Sequence, residues 1–349
     1  MIFGCKIESI GVKLPAKKVT SSEITDQLKL LKPLKFELLT GIYSRRVCSD
    51  KEDSLTLAID AANDALSHSR IKPEDIEMII SCSISKYVNG LNHFYEPPLS
   101  LLIKERIGNK TAINFDISNA CAGMITGLHI ARNFISGGRV KNCLVVSGEY
   151  ITSLCMNAVK NINSPLSGEL ASLTLGDSGA AIILTDTVTT EDAISVSEIV
   201  TLSRYSHLCN GFQSIKQPGG VMTTKMKEIH DVSIENAPVI IEKALKKAGL
   251  RMSQIDHLIP HQTAKRSIQT GAMSFEKYFR EKPANIILNL SEAGNTASTT
   301  HFTTLYKCLH EKIFRKGEKI MLLSFASGLV IGVVIFTIND IIDSYGNNN

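Results

Sequence analysis

Three side chains of chemically useful type stand in segments that packing alone does not explain. They are Cys121 in NFDISNACAGMITGLHIA (114–131), His261 in HLIPHQTA (257–264) and Asn295 in EAGNTASTT (292–300). Cys121 falls between a strand-like run and a helix-like run, so it is expected in the first turn of a helix. There the unpaired N–H groups carry partial positive charge and favour thiolate over thiol. A free cysteine can also be a small buried hydrophobe, a reading that suffices for Cys143 in CLVVSG. Around Cys121, however, Ala120, Ala122 and Gly123 strip away bulk and leave room for a substrate. His261 ends an apolar strand, where a satisfied core histidine is the alternative to an acid–base group. Asn295 reads equally as a turn residue or helix cap. His257 and His261 have the four-residue spacing of a zinc pair, but Pro260 breaks any helix between them and the glutamate of an HExxH motif is missing. No metal is expected.

The elements that would position these residues occur twice. Residues 54–84 align without a gap to residues 233–263: Ser54, Ala58, Ala65, Leu66, Ile76 and Ile80 meet identical residues in the second copy, and most apolar positions also match. Each copy reads as an amphipathic helix, a short turn (KPEDI, MSQID) and a buried strand (EMIISCS, DHLIPH). The first half then continues with the strand INFDI, a small-residue bend, a helix from Ala122 to about Ile135, a Gly-Gly turn and the strands CLVVSG and GAAIILT. The second continues with a strand NIILNLS, a bend at GNTAS, a helix from about Thr299 to Phe314, a Lys-Gly turn and the strands IMLLSF and LVIGVVIFTI. Alternating strands and helices predict sheets covered by helices on both faces. The halves are expected to span 1–185, with Cys121, and 186–349, with His261 and Asn295. Packed about a pseudo-twofold axis, they would bring loops at the same ends of equivalent strands to one site. Residues 150–173 lack a counterpart of similar length and are expected to be a surface excursion or lid. The terminal GNNN is expected to be disordered.

Composition narrows the classes. Of 349 residues, 44% are hydrophobic and 21% charged, with a net charge of +4 whose lysines are dispersed among acids, which argues against a nucleic-acid binder. Eight cysteines without a CxxC pair predict a reducing cytosol, and the N-terminus lacks the pattern of a signal peptide. Residues 320–338 carry no charge over a length that could span a bilayer, but Ser324, Ser327 and Gly328 interrupt them and the second part is β-branched. Two buried strands joined by a tight turn are expected there instead of a membrane helix.

Taken together, DISNACAG, IPHQT and GNTAS resemble, in order and spacing, the β-ketoacyl carrier-protein synthase III branch of the thiolase superfamily. LGDSGAAIIL (175–184) resembles that family's phenylalanine-glycine-aspartate motif, SFASGLVIG (324–332) its Gly-rich C-terminal turn and TGIYSRR (40–46) its early TGIxxR segment. The resemblance implies an α/β, thiolase-like fold in an α-β-α-β-α arrangement. It implies Cys121 as nucleophile, His261 and Asn295 as the pair that promotes condensation, and the backbone N–H groups of Cys121 and Ser327 as the oxyanion hole. It also implies no metal or redox cofactor, substrates carried on the phosphopantetheine of acyl carrier protein or coenzyme A, a cytoplasmic homodimer and no membrane insertion. Residues 87–99 fall where the family has a pocket-lining loop that reaches toward the partner subunit, which makes Phe94 and Tyr95 candidates for chain-length control or ordinary interface aromatics. Arg266 matches a basic position at the family's tunnel mouth, where it would meet the pantetheine or carrier protein, a solvated surface arginine being the alternative. The chain departs from the fatty-acid-initiating members at Lys35 and Leu39, which replace a tryptophan and an arginine that grip the coenzyme A nucleotide, and at HQTA, which replaces HQAN. These departures point to a specialised branch acting on protein-carried acyl groups in secondary lipid or polyketide metabolism. Two other readings stand beside it: an acyltransferase to an alcohol or amine, with His261 as general base, and a non-catalytic subunit of a condensing heterodimer.

Overall fold

The strands of this chain are hydrophobic on both faces because each sheet is covered on both sides. A computed structural model describes residues 4–345, so the C-terminal GNNN lies outside the described residues. In chain order the first set of elements is β1 (Gly4–Lys13), α1 (Ser54–Ser67), β2 (Met78–Ser81), β3 (Ile113–Asp116), α2 (Gly123–Ser136), β4 (Asn142–Glu149), α3 (Thr152–Asn161) and β5 (Ser178–Thr187). The second set is β6 (Val196–Thr201), a β7 (Cys209–Gln213) and β8 (Gly220–Thr224) hairpin, α4 (Met226–Ala248), β9 (His257–Pro260), α5 (Lys265–Phe279), β10 (Asn285–Ile286), α6 (Thr300–His310), β11 (Lys319–Ala326) and β12 (Val330–Thr337). Two five-stranded sheets result, ordered β1-β5-β4-β2-β3 and β6-β12-β11-β9-β10. In each, the first two ladders are antiparallel and the last two parallel, so the two sheets share one topology.

Alternation along the central strands sorts side chains into layers. Cys143 and Val145 of β4 face a core shared with Met124 and Leu128 of α2, Phe302 and Leu305 of α6, and Ile320 and Leu322 of β11. Leu144 and Val146 face the opposite way, against α1. Met321 and Leu323 of β11 face α4. Helices α2 and α6 therefore form a middle layer between the sheets, with α1 outside the first and α4 and α5 outside the second. Cys143 is fully buried core. A capping box starts α1: Asp53 accepts from the Thr56 N–H at 2.8 Å and Thr56 Oγ1 accepts from the Asp53 N–H at 2.7 Å. Gly148 then lets α1 lie directly on β4, since a Cβ there would stand 1.9 Å from the Ser54 carbonyl oxygen.

Several expectations need correction. NIILNLS is strand only over Asn285–Ile286, because it lies at a sheet edge and the Gln262 side chain ends the ladder, accepting from the Asn289 N–H at 2.8 Å and donating to Ile287 O at 3.1 Å. Helix α6 stops at His310 and not near Phe314: Lys312 takes a left-handed φ of 54° and the Ile313 N–H turns back to Cys308 O at 3.0 Å. Residues 150–173 are a surface excursion only around 163–168, and Ala171 reaches the wall of a cavity. They contain α3, whose Cys155, Ala158 and Val159 are buried with Ile162 and Leu173 against Ile24, Phe36, Ile42 and Ile268. The uncharged run 320–338 forms the β11–β12 antiparallel pair, and no described helix is long and apolar enough to cross a membrane.

Replacing Gly148 with alanine should destabilise the chain by roughly 2 kcal/mol, because neither Ser54 nor β4 can move without disturbing a filled layer. Urea unfolding measures this, and an unchanged midpoint would refute the close approach.

Candidate active site

The turn that carries Cys121 is built from small residues for a conformational reason. Ala120 adopts a left-handed φ of 46°, a single 3-10 turn follows over Ala120–Ala122, and α2 begins at Gly123. That glycine lies so close to the end of β2 that a Cβ would stand 2.7 Å from Cys82 O. The turn before α6 repeats the device: Ala297 has a φ of 55° and opens a 3-10 turn over Ala297–Thr299. Cys121 is half-buried and packs against Leu175, Ala297 and Ala326. Cys121, His261, Asn295 and Ser327 all line one cavity of about 260 Å³.

His261 follows β9 directly, and its N–H donates to Leu323 O at 2.8 Å. The same carbonyl lies 3.1 Å from Nε2 of His301, a wholly buried residue of α6 whose ring centroid is 5.8 Å from that of His261. Asn295 is held by the LGD segment. Its N–H donates to Thr174 O at 2.8 Å, its carbonyl accepts from the Gly176 N–H at 3.0 Å, and it bridges Leu175. Gly176 is required for this approach, since a Cβ would stand 2.1 Å from Ala293 O. Asp177 anchors the same segment by accepting from the N–H groups of Cys48 at 2.8 Å and Thr152 at 2.7 Å. The Asn295 side-chain oxygen accepts from the Ala297 N–H at 3.0 Å, which leaves its NH₂ group as the free donor at the cavity.

Other sequence candidates are placed differently. Ser327 sits in the turn between β11 and β12, on the cavity wall. Arg266 is exposed near the start of α5, beside the wall residue Ser267, and makes no ion pair among the described residues. Phe94 and Tyr95 do not line this cavity. Phe94 packs against the cluster beneath α1 on the far face of the first sheet, and Tyr95 is 79% exposed with its ring 4.6 Å from that of His93. Their segment runs along the outside of the chain, so within one chain neither can limit an acyl group at Cys121. Lys35 and Leu39 are both exposed.

This geometry agrees with what the chain is similar to. The family described as 3-oxoacyl-[acyl-carrier-protein] synthase III matches residues 115–202, and the C-terminal part of the same synthase matches residues 245–338; together they take in just over half of the chain. The chain belongs to this family. It is a condensing enzyme of synthase III type with a thiolase-like fold. A β-ketoacyl-[acyl-carrier-protein] synthase III of Latilactobacillus sakei is 27% identical over 95% of this chain and 98% of its own. The protein of that name from Clostridium acetobutylicum is 28% identical over 85% and 87%. Among solved structures, the synthase III of Aquifex aeolicus superimposes with a TM-score of 0.81 at 23% identity, covering 96% of this chain and all (100%) of that one. Xanthomonas campestris OleA superimposes with a TM-score of 0.83 at 23% identity, covering 96% and 98%.

Several residues of the site carry no signal that sequence reasoning had assigned a role. Glu149, at the end of β4, is fully buried yet accepts from the N–H groups of Ile84 at 3.0 Å and Ser85 at 3.2 Å, from the hydroxyls of Ser85 and Ser147 at 3.1 Å each, and from Ser298. Its place after the strand CLVVSG was legible; its partners were not. His301 was equally silent, whereas Gly176 falls in the LGD motif but had no role assigned to it.

Electrostatics overturn one expectation. Burial pushes the Cys121 thiol well above the usual range, and Cys209 and Glu149 nearby add to the effect. Loss of solvent therefore outweighs the field of the α2 N-terminus, whose influence is confined to the first turn. Burial, with His301 adding, pulls His261 down to about 3, so its imidazole is neutral at physiological pH and able to accept a proton. The site rests as thiol and neutral imidazole, not as an ion pair. Alkylation of Cys121 by iodoacetamide in the unliganded protein should be slow at pH 7 and accelerate only into the alkaline range. Tryptic mass mapping across pH tests this, and a rate already saturated near neutrality would contradict it.

Proposed function

We propose that the chain catalyses decarboxylative Claisen condensation of acyl thioesters through an acyl-Cys121 intermediate. The observation that carries this reading is one cavity wall holding a thiol, a neutral imidazole and an amide whose oxygen is already occupied, so that its NH₂ is the free group. In the first half-reaction His261 takes the thiol proton as the sulfur attacks the thioester carbonyl. The oxyanion is held by the backbone N–H groups of Cys121 and Ser327. The carrier thiol leaves with the proton. In the second half-reaction a malonyl-type thioester loses carbon dioxide, and the electron pair of the broken C–C bond enters its thioester carbonyl. His261 and the Asn295 amide donate hydrogen bonds to that enolate oxygen. The enolate carbon attacks the acyl-Cys121 carbonyl, and Cys121 leaves as a thiolate that regains its resting proton from solvent.

Asn295 favours condensation over transfer to an alcohol or amine, since base-catalysed transfer has no use for a second enolate donor. Retention of the cysteine argues against a purely structural subunit. The division of the chain follows the chemistry: residues 1–185 supply the nucleophile, and 186–349 the two enolate-stabilising groups. We assign the chain to the cytoplasm as a homodimer; the dimer is supported by β3, an edge strand of the first sheet whose Ile113 is 50% exposed. We assign Arg266, exposed beside the cavity rim, to contact with the carrier, and the chain to specialised acyl or polyketide metabolism.

Asn295→Ala should still load an acyl group onto Cys121 but lose roughly 10²–10³-fold in decarboxylation, the usual cost of removing one oxyanion donor. Intact mass follows loading and labelled carbon dioxide follows the second step, with Cys121→Ala as the variant that cannot load. Equal damage to both steps would make Asn295 a shaping residue, and intact condensation would favour acyl transfer.

The exposed Lys35 and Leu39 offer neither a stacking ring nor a guanidinium to a nucleotide. Acyl carrier protein should therefore exceed coenzyme A as donor of the same acyl group in kcat/KM. A clear preference for coenzyme A overturns the assignment.

A further inference from the structure

His301 is a buried titratable side chain that the condensation steps leave unused. It stands near the start of α6, wholly shielded from solvent, where an aliphatic or aromatic residue would fill the middle layer with no polar atom to satisfy. Burial pulls its imidazole down to about 4, so at neutral pH the ring carries one N–H. The Leu323 carbonyl, 3.1 Å from Nε2, can only accept, which places that proton on Nε2 and leaves Nδ1 a bare acceptor without a partner among the described residues. A buried acceptor left unpaired costs stability. Packing therefore gives no reason for an imidazole here, and the hydrogen bond to Leu323 is what distinguishes it from an apolar residue.

That bond joins three elements of the site. Leu323 lies in β11, opposite Pro260 of β9 in the parallel ladder. Its carbonyl accepts from the His261 N–H at 2.8 Å as well as from His301, so both of its lone pairs are used. His301 follows the Asn295-bearing turn on α6, and Ser327 follows Leu323 in the turn that closes β11. The His261 ring has no hydrogen bond at its own buried Nδ1 among the described residues, and it lies 5.8 Å from the His301 ring, centroid to centroid, at an interplanar angle of 35°. We propose that His301 is a positioning residue for the condensation: by donating from Nε2 to the Leu323 carbonyl, it holds the start of α6 against the end of β9 and sets the place of the His261 ring on the cavity wall. This rests on the acyl-Cys121 reading above. His301 does not line the cavity and touches no substrate, so its influence passes through His261 and ends where His261 is absent.

The experiment uses the full chain, with loading of Cys121 followed by intact mass and decarboxylation of a malonyl thioester by labelled carbon dioxide. His301→Phe keeps a buried ring and removes the donor, and kcat for decarboxylation should fall about tenfold or more with KM unchanged. His301→Gln, whose side-chain NH₂ reaches about as far as Nε2, should recover to within about threefold of the native rate. His301→Asn, whose shorter amide ends near the place of Nδ1, should be as impaired as the phenylalanine variant. This glutamine and asparagine pair decides the matter even where His301→Phe does not fold. In a His261→Ala background the substitutions at 301 should cause no further loss. Equal rates for the glutamine and asparagine variants, or losses that simply multiply with that of His261→Ala, would overturn the positioning role, since a residue that only fills the middle layer gives both results. A native protein that acquires no acyl group from any thioester would instead overturn the acyl-enzyme reading on which it rests.

Discussion

Everything at the cavity depends on how closely the turn before α2 approaches the turn before α6 in the middle layer. Both helices are buried between the sheets, so their first turns cannot separate without opening the largest core cluster of the molecule. Left-handed alanines at 120 and 297 bend the two segments in the same manner, and a Cβ on Gly123 would be only 3.6 Å from the Ser298 side chain. A left-handed alanine is strained and persists only where its surroundings over-determine it. Here the surroundings are two packed helices, and the result is a thiol from the turn before α2 and an amide from the turn before α6 on one wall.

Glu149 joins these turns to the sheet. Its carboxylate collects hydrogen bonds from the loop after β2, from Ser147 of β4 and from Ser298 in the Asn295-bearing turn, and Ser147 and Ser298 also lie 2.8 Å apart. Burial raises the Glu149 carboxyl, while these donors hold it down by favouring the charged form. After burial and Cys209, the same negative charge adds to the lift of the Cys121 thiol. One buried carboxylate thus ties the Asn295-bearing turn to the first sheet.

Burial also sets how the site responds to acid. His261 and His301 are pulled down to about 3 and about 4, so below pH 6.5 the unfolded chain binds protons that the folded chain refuses, and stability falls with pH through that window. Asp177, which burial raises to about 6, works in the opposite direction: between 3.8 and 6 the folded chain binds the extra proton, and its contribution falls as pH rises through that range. The site's neutrality is therefore a cost carried by the fold, offset by the packing of the same layer.

By itself the sequence determined the repeat, the central strands and the segments that bear Cys121, His261 and Asn295, because periodicity and small-residue turns are local properties. It also carried the family resemblance, and it distinguished the 320–338 hairpin from a membrane helix by its β-branched residues and mid-run breaks. Tertiary structure alone decided the short β10, whose ladder ends on Gln262, and the buried place of α3. It decided that Phe94 faces away from the cavity and that Glu149, Gly176 and His301 surround the candidate residues. It also reversed the expected acidity of Cys121. The helix N-terminus is visible in sequence because it is made by neighbours along the chain. The desolvation that outweighs it comes from segments brought together only by folding, and no local pattern records how much water they exclude.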